Sequence, residues 1–164
     1  MLKINEQARE ALIGEVDGLT DEELNKKSAD DQWSIKQVLE HLYLMEAAVT
    51  KTIQTQLETG EVVIAEEKPI ELTINRTMKV NSPDFSLPSE SFVTLEELKV
   101  NLAATHQDLK ELFESTNDKQ LEDRAYLHPV FGQMSLKQWI PFVGYHEMRH
   151  IEQIKEVKSK LGLK

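Results

Sequence analysis

The chain has 164 residues, a formal net charge of −10 (19 Lys and Arg against 29 Asp and Glu) and no cysteine. The acidic balance opposes binding to nucleic-acid phosphates or anionic lipid, no apolar run approaches the ~18 residues of a membrane span, and the missing thiols remove disulfides, cysteine–metal sites and cysteine nucleophiles. A chain of this length buries about two-thirds of its surface on folding, so any metal site has a task other than holding the fold together; a single domain over residues 1–164, without a signal-peptide pattern and located in the cytoplasm, is expected.

Apolar periodicity is helical almost throughout. From about Ile4 to Val16, Ile4, Ala8, Ala11, Leu12 and Val16 share one face. Thr20-Asp21-Glu22-Glu23 is a capping-box signature for a brief helix. A second long helix opens at the capping box Ser34-Ile35-Lys36-Gln37 and runs to Gly60, with Val38, His41/Leu42, Met45, Val49 and Ile53 inward. Residues 60–93, with Pro69, Pro83 and Pro88, break the pattern and form a long connection, with a short extended piece expected at Val62-Val63-Ile64. Thr94-Leu95-Glu96-Glu97 starts a third helix that ends near Thr116 and turns Leu95, Leu98, Leu102, Leu109, Leu112 and Phe113 inward. A second connection spans 117–134, and a fourth helix runs from Ser135 to about Leu161, before Gly162. Pro141 falls in its second turn and removes a backbone bond there, so a kink is expected, or a helix that effectively begins nearer Pro141. Four long amphipathic helices with no strand pattern predict an all-α four-helix bundle with a long crossover between helices two and three.

The chemistry in this sequence lies in its five histidines. His146 and His150 are four apart, which stacks both imidazoles on one helical face within reach of a single ion. They also fit a polar helix face. His41 lies on the inner stripe of the second helix, and facing helices are a usual place to build a metal site in a bundle core. A hydrogen-bonded core histidine is the competing reading. His106, between Leu102 and Leu109, reads as partly exposed or locally hydrogen-bonded. His128, before Pro129, is either loop punctuation or a pocket residue near the mouth of the site. His146-Glu147-Met148-Arg149-His150 also fits H-E-x-x-H, the zinc-peptidase pattern. Only three of its positions are fixed, and Ile151 through Glu156 supply neither the Gly nor the third His of the longer version.

Three segments together are more specific. Gln32-Trp33-Ser34-Ile35-Lys36-Gln37-Val38-Leu39-Glu40-His41-Leu42 resembles the second-helix motif of the DinB-like family. His128-Pro129-Val130-Phe131-Gly132-Gln133-Met134-Ser135 is similar to that family's turn before the last helix, and Tyr145 through Ile154 to its last-helix metal motif. Residues Arg76 through Pro88 resemble its crossover. The resemblance covers nearly the whole chain. It implies a four-helix bundle, a divalent ion held by His41, His146 and His150, and a homodimer. The family includes transferases that use bacillithiol, mycothiol or related small thiols, and members labelled metal-dependent hydrolases without a known reaction.

Three neutral imidazoles on one divalent ion leave open coordination positions, the layout of catalytic rather than structural sites. Zinc or nickel is the expected ion, since imidazole suits several transition metals. The first functional reading is a metal-dependent transferase in which a small thiol cosubstrate attacks an electrophilic small molecule. The alternatives are a hydrolase using metal-bound hydroxide, and a metal-binding interaction protein without turnover. Glu147 and His128 are the candidate proton carriers. Arg149 and Gln153 are the candidate cofactor-binding residues, Gln153 from behind the ligands. Arg76 and Lys79 are further candidates for holding a thiol's carboxylates, and Arg149 reads equally as a partner of Glu152 or Glu156.

Overall fold

The computed structural model describes residues 2–77 and 79–164. Six α-helices and one β-hairpin follow in chain order: α1 (Leu2–Val16), α2 (Asp21–Asn25), α3 (Ile35–Thr59), α4 (Leu95–Glu114), α5 (Asp118–Glu122), β1 (Ala125–His128), β2 (Gly132–Ser135) and α6 (Leu136–Leu161). The long helices α1, α3, α4 and α6 form the bundle: α1 lies along α6, and α3 packs on both α4 and α6.

The helix starts follow from local chemistry. Thr20, Ser34, Thr94 and Ser135 each accept a hydrogen bond from the backbone N–H three residues on, which meets a donor that the first turn leaves without a partner. At Ser34 the box is reciprocal, because Gln37 accepts from the Ser34 N–H. At Ser135 it is not. Gln138 instead reaches the crossover, accepting from the Lys68 N–H at 2.8 Å and donating to the Lys68 carbonyl at 2.9 Å. The last helix stops at Gly162, whose φ of +71° is a left-handed conformation that a side chain would strain.

Helix α6 continues through Pro141. The residue sits one turn in from the helix start, so the bond it deletes is an early one, to the Lys137 carbonyl. Just beyond it, Gly144 is where α1 crosses: a Cβ there would lie 3.1 Å from backbone atoms of Ile4 and Asn5. The Asn5 amide donates to the Ile140 carbonyl at this crossing.

Three parts of the connections differ from the sequence expectation. Residues 117–134 hold a short capped helix, α5, and most of a hairpin with Ala125 opposite Ser135 and His128 opposite Gly132. Its four-residue strands are too short for alternation to register as a period. The Trp139 indole donates to the Tyr126 carbonyl and ties the hairpin to α6. Val62–Ile64 forms no strand, and its link to the body is a bond from the Val63 N–H to the Asp123 carbonyl. The crossover between α3 and α4 contains two 3₁₀ turns: Ile70–Ile74 packs on α6, and Asp84–Ser86 packs on α3.

Two apolar clusters fill the bundle. One gathers Leu12, Val38, Leu42, Leu102 and Ile151; the other gathers Val49, Leu109, Trp139, Phe142 and Val143. The gap between them falls after Leu42 in α3, after Leu102 in α4 and after Val143 in α6. Buried polar side chains, Glu46 of α3 and Glu147 and His150 of α6, occupy that gap, and His41, one residue before Leu42, borders it; the candidate site is one half of this polar layer.

Candidate metal centre

His41 comes from α3, and His146 and His150 come from successive turns of α6. One nitrogen of each lies within 4.8 Å of the others. The Nε2 atoms of His41 and His146 are 3.3 Å apart, and those of His146 and His150 are 3.1 Å apart. The outer nitrogens fix the tautomers. His41 donates from Nδ1 to the Ser86 carbonyl at 2.8 Å, and His150 donates from Nδ1 to Gln153 Oε1 at 2.7 Å. Both inner Nε2 atoms therefore carry lone pairs that face His146.

Burial keeps these rings neutral. It is the main cause that lowers the His41 pKa, pushes His150 down to about 3, and holds His146 well below the usual histidine range. The neighbouring imidazoles add to the effect on His146 and His150. The two inward lone pairs share one neighbour, and a single proton on His146 Nε2 cannot bridge to both at full strength. A divalent ion resolves the conflict. Tetrahedral zinc bonds of about 2.0–2.1 Å place ligand nitrogens roughly 3.3–3.4 Å apart, close to the spacing present. The donor set fits a transition metal.

The crossover holds His41 in place. Ser86 ends its second 3₁₀ turn, and Ser89, three residues on, is clamped to α3. Lys36, only 1% exposed, pairs with Glu40 at 2.6 Å and donates to the Ser89 carbonyl and hydroxyl. Glu40 in turn accepts from the Ser89 N–H. The Trp33 ring packs at 5.2 Å from that of His41.

The remaining predicted site residues fall in different places. Gln153 lies directly behind His150. Glu147 turns to the other side of α6, where both its oxygens accept from Arg9, at 2.9 and 3.2 Å. One residue along a helix is a rotation of about 100°, and that rotation takes Glu147 off the imidazole face. Its carboxylate is committed to an ion pair, which corrects its reading as a proton carrier at the metal. Arg149 donates to the carbonyls of Thr73 and Asn75 in the first crossover turn, while Arg76 takes Glu156 and Lys155 takes Glu152. Both arginines lie near enough to help lower the His150 pKa. His106 is outside the cluster, between Glu46 and Glu6. His128 is buried against Phe131, Trp139 and Phe142.

Sequence reasoning missed Trp33, Ser86 and the partner of Glu147. A backbone carbonyl such as that of Ser86 carries no residue signature. Glu46 did leave a trace: it falls four after Leu42 and three before Val49, a carboxylate on an apolar stripe, and it is 1% exposed while Met45 is only partly buried.

The DinB superfamily profile matches residues 4–154. The chain belongs to the DinB superfamily. It is 33% identical over 160 residues to YuaE of Bacillus subtilis, an uncharacterised protein, covering 98% of each chain. It is 23% identical over 144 residues to a protein of Oceanobacillus iheyensis whose name carries a proposed metal-dependent hydrolase activity, covering 87% of this chain and 75% of that one. Among solved structures, YfiT from Bacillus subtilis, described as a proposed metal-dependent hydrolase with an unusual four-helix bundle topology, superposes with a TM-score of 0.67 at 18% identity, over 99% of this chain and 86% of that one. The four-helix bundle protein TT2238 gives 0.65 at 18% identity, over 94% and 95%. The four-helix bundle is the fold of these solved structures as well, and the three-histidine cluster is a group that could hold a metal ion. Among the described residues no helix is long and apolar enough to cross a membrane.

Proposed function

We propose that this DinB protein is a metal-dependent enzyme that activates a small thiol for transfer to an electrophilic small molecule. The observation that carries the reading is the convergence of three neutral Nε2 atoms with no carboxylate among them. A divalent ion held there lowers the pKa of a bound thiol or water and so supplies a nucleophile near neutral pH. An all-imidazole set leaves the ion's charge uncompensated, which favours an anionic ligand over a neutral one. Arg149 and Arg76 add positive potential on the His150 side, as their downward pull on that histidine records. The chain has no thiol of its own, so the nucleophile must arrive as a cosubstrate.

The residues divide the work. His41 and His150 hold their lone pairs inward because Ser86 and Gln153 hold their protons outward. Trp33 and Phe142 border the cluster with apolar rings at 5.2 Å from His41 and 5.8 Å from His146. Arg149 braces the crossover turn at Thr73 and Asn75 against α6. A second reading, hydrolysis by metal-activated water, is favoured by the names of the Oceanobacillus protein and YfiT.

One experiment separates the two. Metal-loaded protein is incubated with a chloronitrobenzene electrophile with and without a panel of small thiols, and in parallel with activated esters. Thiol-dependent arylation that is lost in His41→Ala supports transfer. Ester cleavage without thiol, lost in the same variant, supports hydrolysis instead.

A further inference from the structure

Lys36 is buried in the first turn of α3, a place unfavourable to it on two counts. Burying a cation costs desolvation, and the N-terminal end of a helix disfavours positive charge. Its ion pair with Glu40 gives stability little reason to keep it, since apolar side chains of similar volume often serve a buried site as well or better. The contacts of the pair point elsewhere. Lys36 Nζ donates to Glu40 at 2.6 Å and to the carbonyl and hydroxyl of Ser89, both at 2.9 Å, which uses all three of its N–H groups. Glu40 accepts from the Ser89 N–H at 2.8 Å, and the Gln37 amide donates to the Ser89 carbonyl at 3.2 Å. Every polar group of one exposed crossover serine is thus bound to the first two turns of α3.

Only Leu87 and Pro88 separate Ser89 from Ser86, and that link is stiff. The proline ring fixes its own φ, and the residue before a proline is kept to extended backbone; Leu87 is extended, at φ −72° and ψ 127°. Ser86 is fully buried and closes a 3₁₀ turn, its N–H and its hydroxyl each donating to the Pro83 carbonyl at 3.0 Å. The Ser86 carbonyl accepts the His41 Nδ1 proton at 2.8 Å. That bond keeps the proton away from Nε2, the nitrogen that faces His146. Helix and crossover therefore meet at two points joined by a rigid spacer: the clamp at Ser89 and the carbonyl at His41.

We propose that Lys36 and Glu40 are positioning residues for the metal centre: by fixing Ser89 they hold the Ser86 carbonyl against His41 Nδ1 and so keep the Nε2 lone pair of His41 free for the ion. The inference rests on the metal-centre reading above. Neither side chain is a ligand; both act through the crossover backbone. Without the carbonyl in place the imidazole proton is free to sit on Nε2, and it must leave that nitrogen before a metal can bind there.

Two variants cut this chain of contacts at different places. Lys36→Met removes the cation of the clamp and keeps an unbranched apolar stem. Pro88→Gly leaves the clamp intact and loosens the link to Ser86, at a residue outside both apolar clusters. The first readout is the His41 tautomer in ¹⁵N-labelled, metal-free protein, from long-range ¹H–¹⁵N correlations at neutral pH. The second is Zn²⁺ affinity in a competitive-chelator titration. The expected results are His41 in the Nδ1–H form in the parent, a mixture of both tautomers in each variant, and Zn²⁺ dissociation constants about tenfold weaker in each. His150 is the internal control, because Gln153 holds its tautomer and its signals should keep the Nδ1–H pattern throughout. A merely structural pair would lower the melting temperature and leave the His41 tautomer as it is. A parent-like His41 tautomer in either folded variant overturns the proposal, and so does a change that appears equally at His150, which marks general loosening of the bundle. If Lys36→Met does not fold, Pro88→Gly decides alone. A parent protein that does not bind Zn²⁺ overturns the metal-centre reading instead, and the tautomer measurement, made without metal, still decides whether the pair holds His41.

Discussion

The polar layer between the two apolar clusters has two halves, built from the same helices and answering to different physics. On one side Arg9 of α1 donates to Glu46 of α3, to Glu147 of α6 and to the Leu102 carbonyl of α4, and Glu46 also accepts from Thr105 and His106. Every charge there meets an opposite charge. Burial alone would raise both carboxyl pKa values; at Glu46 the combined pull of His106, Arg9 and Thr105 more than offsets it, whereas at Glu147 burial outweighs Arg9 and holds the carboxyl above its usual value. On the other side the Nε2 atoms of His41 and His150 both point lone pairs at that of His146. The first half is complete within the protein, and the second is a donor set that a cation would complete. Two buried polar clusters in one layer are therefore told apart by whether their partners close, not by burial or composition.

That contrast predicts opposite sensitivities. The largest expected effect is on metal affinity. His41→Ala removes one of three ligands and should weaken Zn²⁺ binding by several orders of magnitude in a competitive-chelator titration, while His106→Ala leaves it unchanged. Circular dichroism of the parent with and without chelator should show the same helical content, because the bundle has its own capped helices and apolar clusters. The ion should raise only the melting temperature, by binding the native state alone. Loss of helix on chelation would make the site structural and erase the distinction between the halves.

Next in size is the other half. Arg9→Ala leaves Glu147 buried without its ion pair and Glu46 beside it with only Thr105 and His106, and should cost about 3–5 kcal/mol in urea or thermal unfolding with metal affinity little changed. A cost near zero would mean the network is already hydrated. Between the halves in character is Gln153, which sets the His150 tautomer. Gln153→Ala should weaken metal binding by roughly 10–100-fold and barely move the melting temperature.

The sequence carried the two halves unequally. His41, His146 and His150 were visible because histidine is scarce here and the i, i+4 spacing has a geometric meaning. The Arg9 network was not, since an arginine near the start of the chain and a glutamate in mid-helix look like surface charge until four helices converge on them. The four long helices could be read from periodicity and caps. The inner stripes shifted by a residue where polarity is buried: Asn5 and Glu46 are buried, whereas Ala11 is exposed and Met45 only partly buried. The crossover was unreadable in detail because its placement depends on single contacts. These are Gln138 to Lys68, Arg149 to Thr73 and Asn75, and Ser89 to Glu40, each invisible to local pattern. The hairpin was missed because its register is set by the turn and by Trp139, not by alternation.

The smallest predicted effect tests the closed half through pH. His106 faces Glu46 and Glu6, with Arg9 and Glu147 behind them. The hydrogen bond to Glu46 is the largest cause raising its pKa above the usual 6.5, against the opposing effects of burial and Arg9. A histidine whose folded-state pKa is raised contributes stability that is fully present below its unfolded value and is lost as pH rises through its folded value. The stabilisation should therefore be complete near pH 6 and fade at higher pH. Thermal melts of the parent and His106→Gln, both without metal, isolate this contribution by difference. The parent should melt higher than the variant at pH 6, with the gap narrowing at pH 8.5. A gap that is constant across that range would show that His106 acts through packing or as a neutral donor, and the charge closure of this half would then rest on Arg9 alone. A gap that widens towards pH 8.5 would mean the ring is more favourable neutral, placing it with the three imidazoles of the other half rather than opposite them.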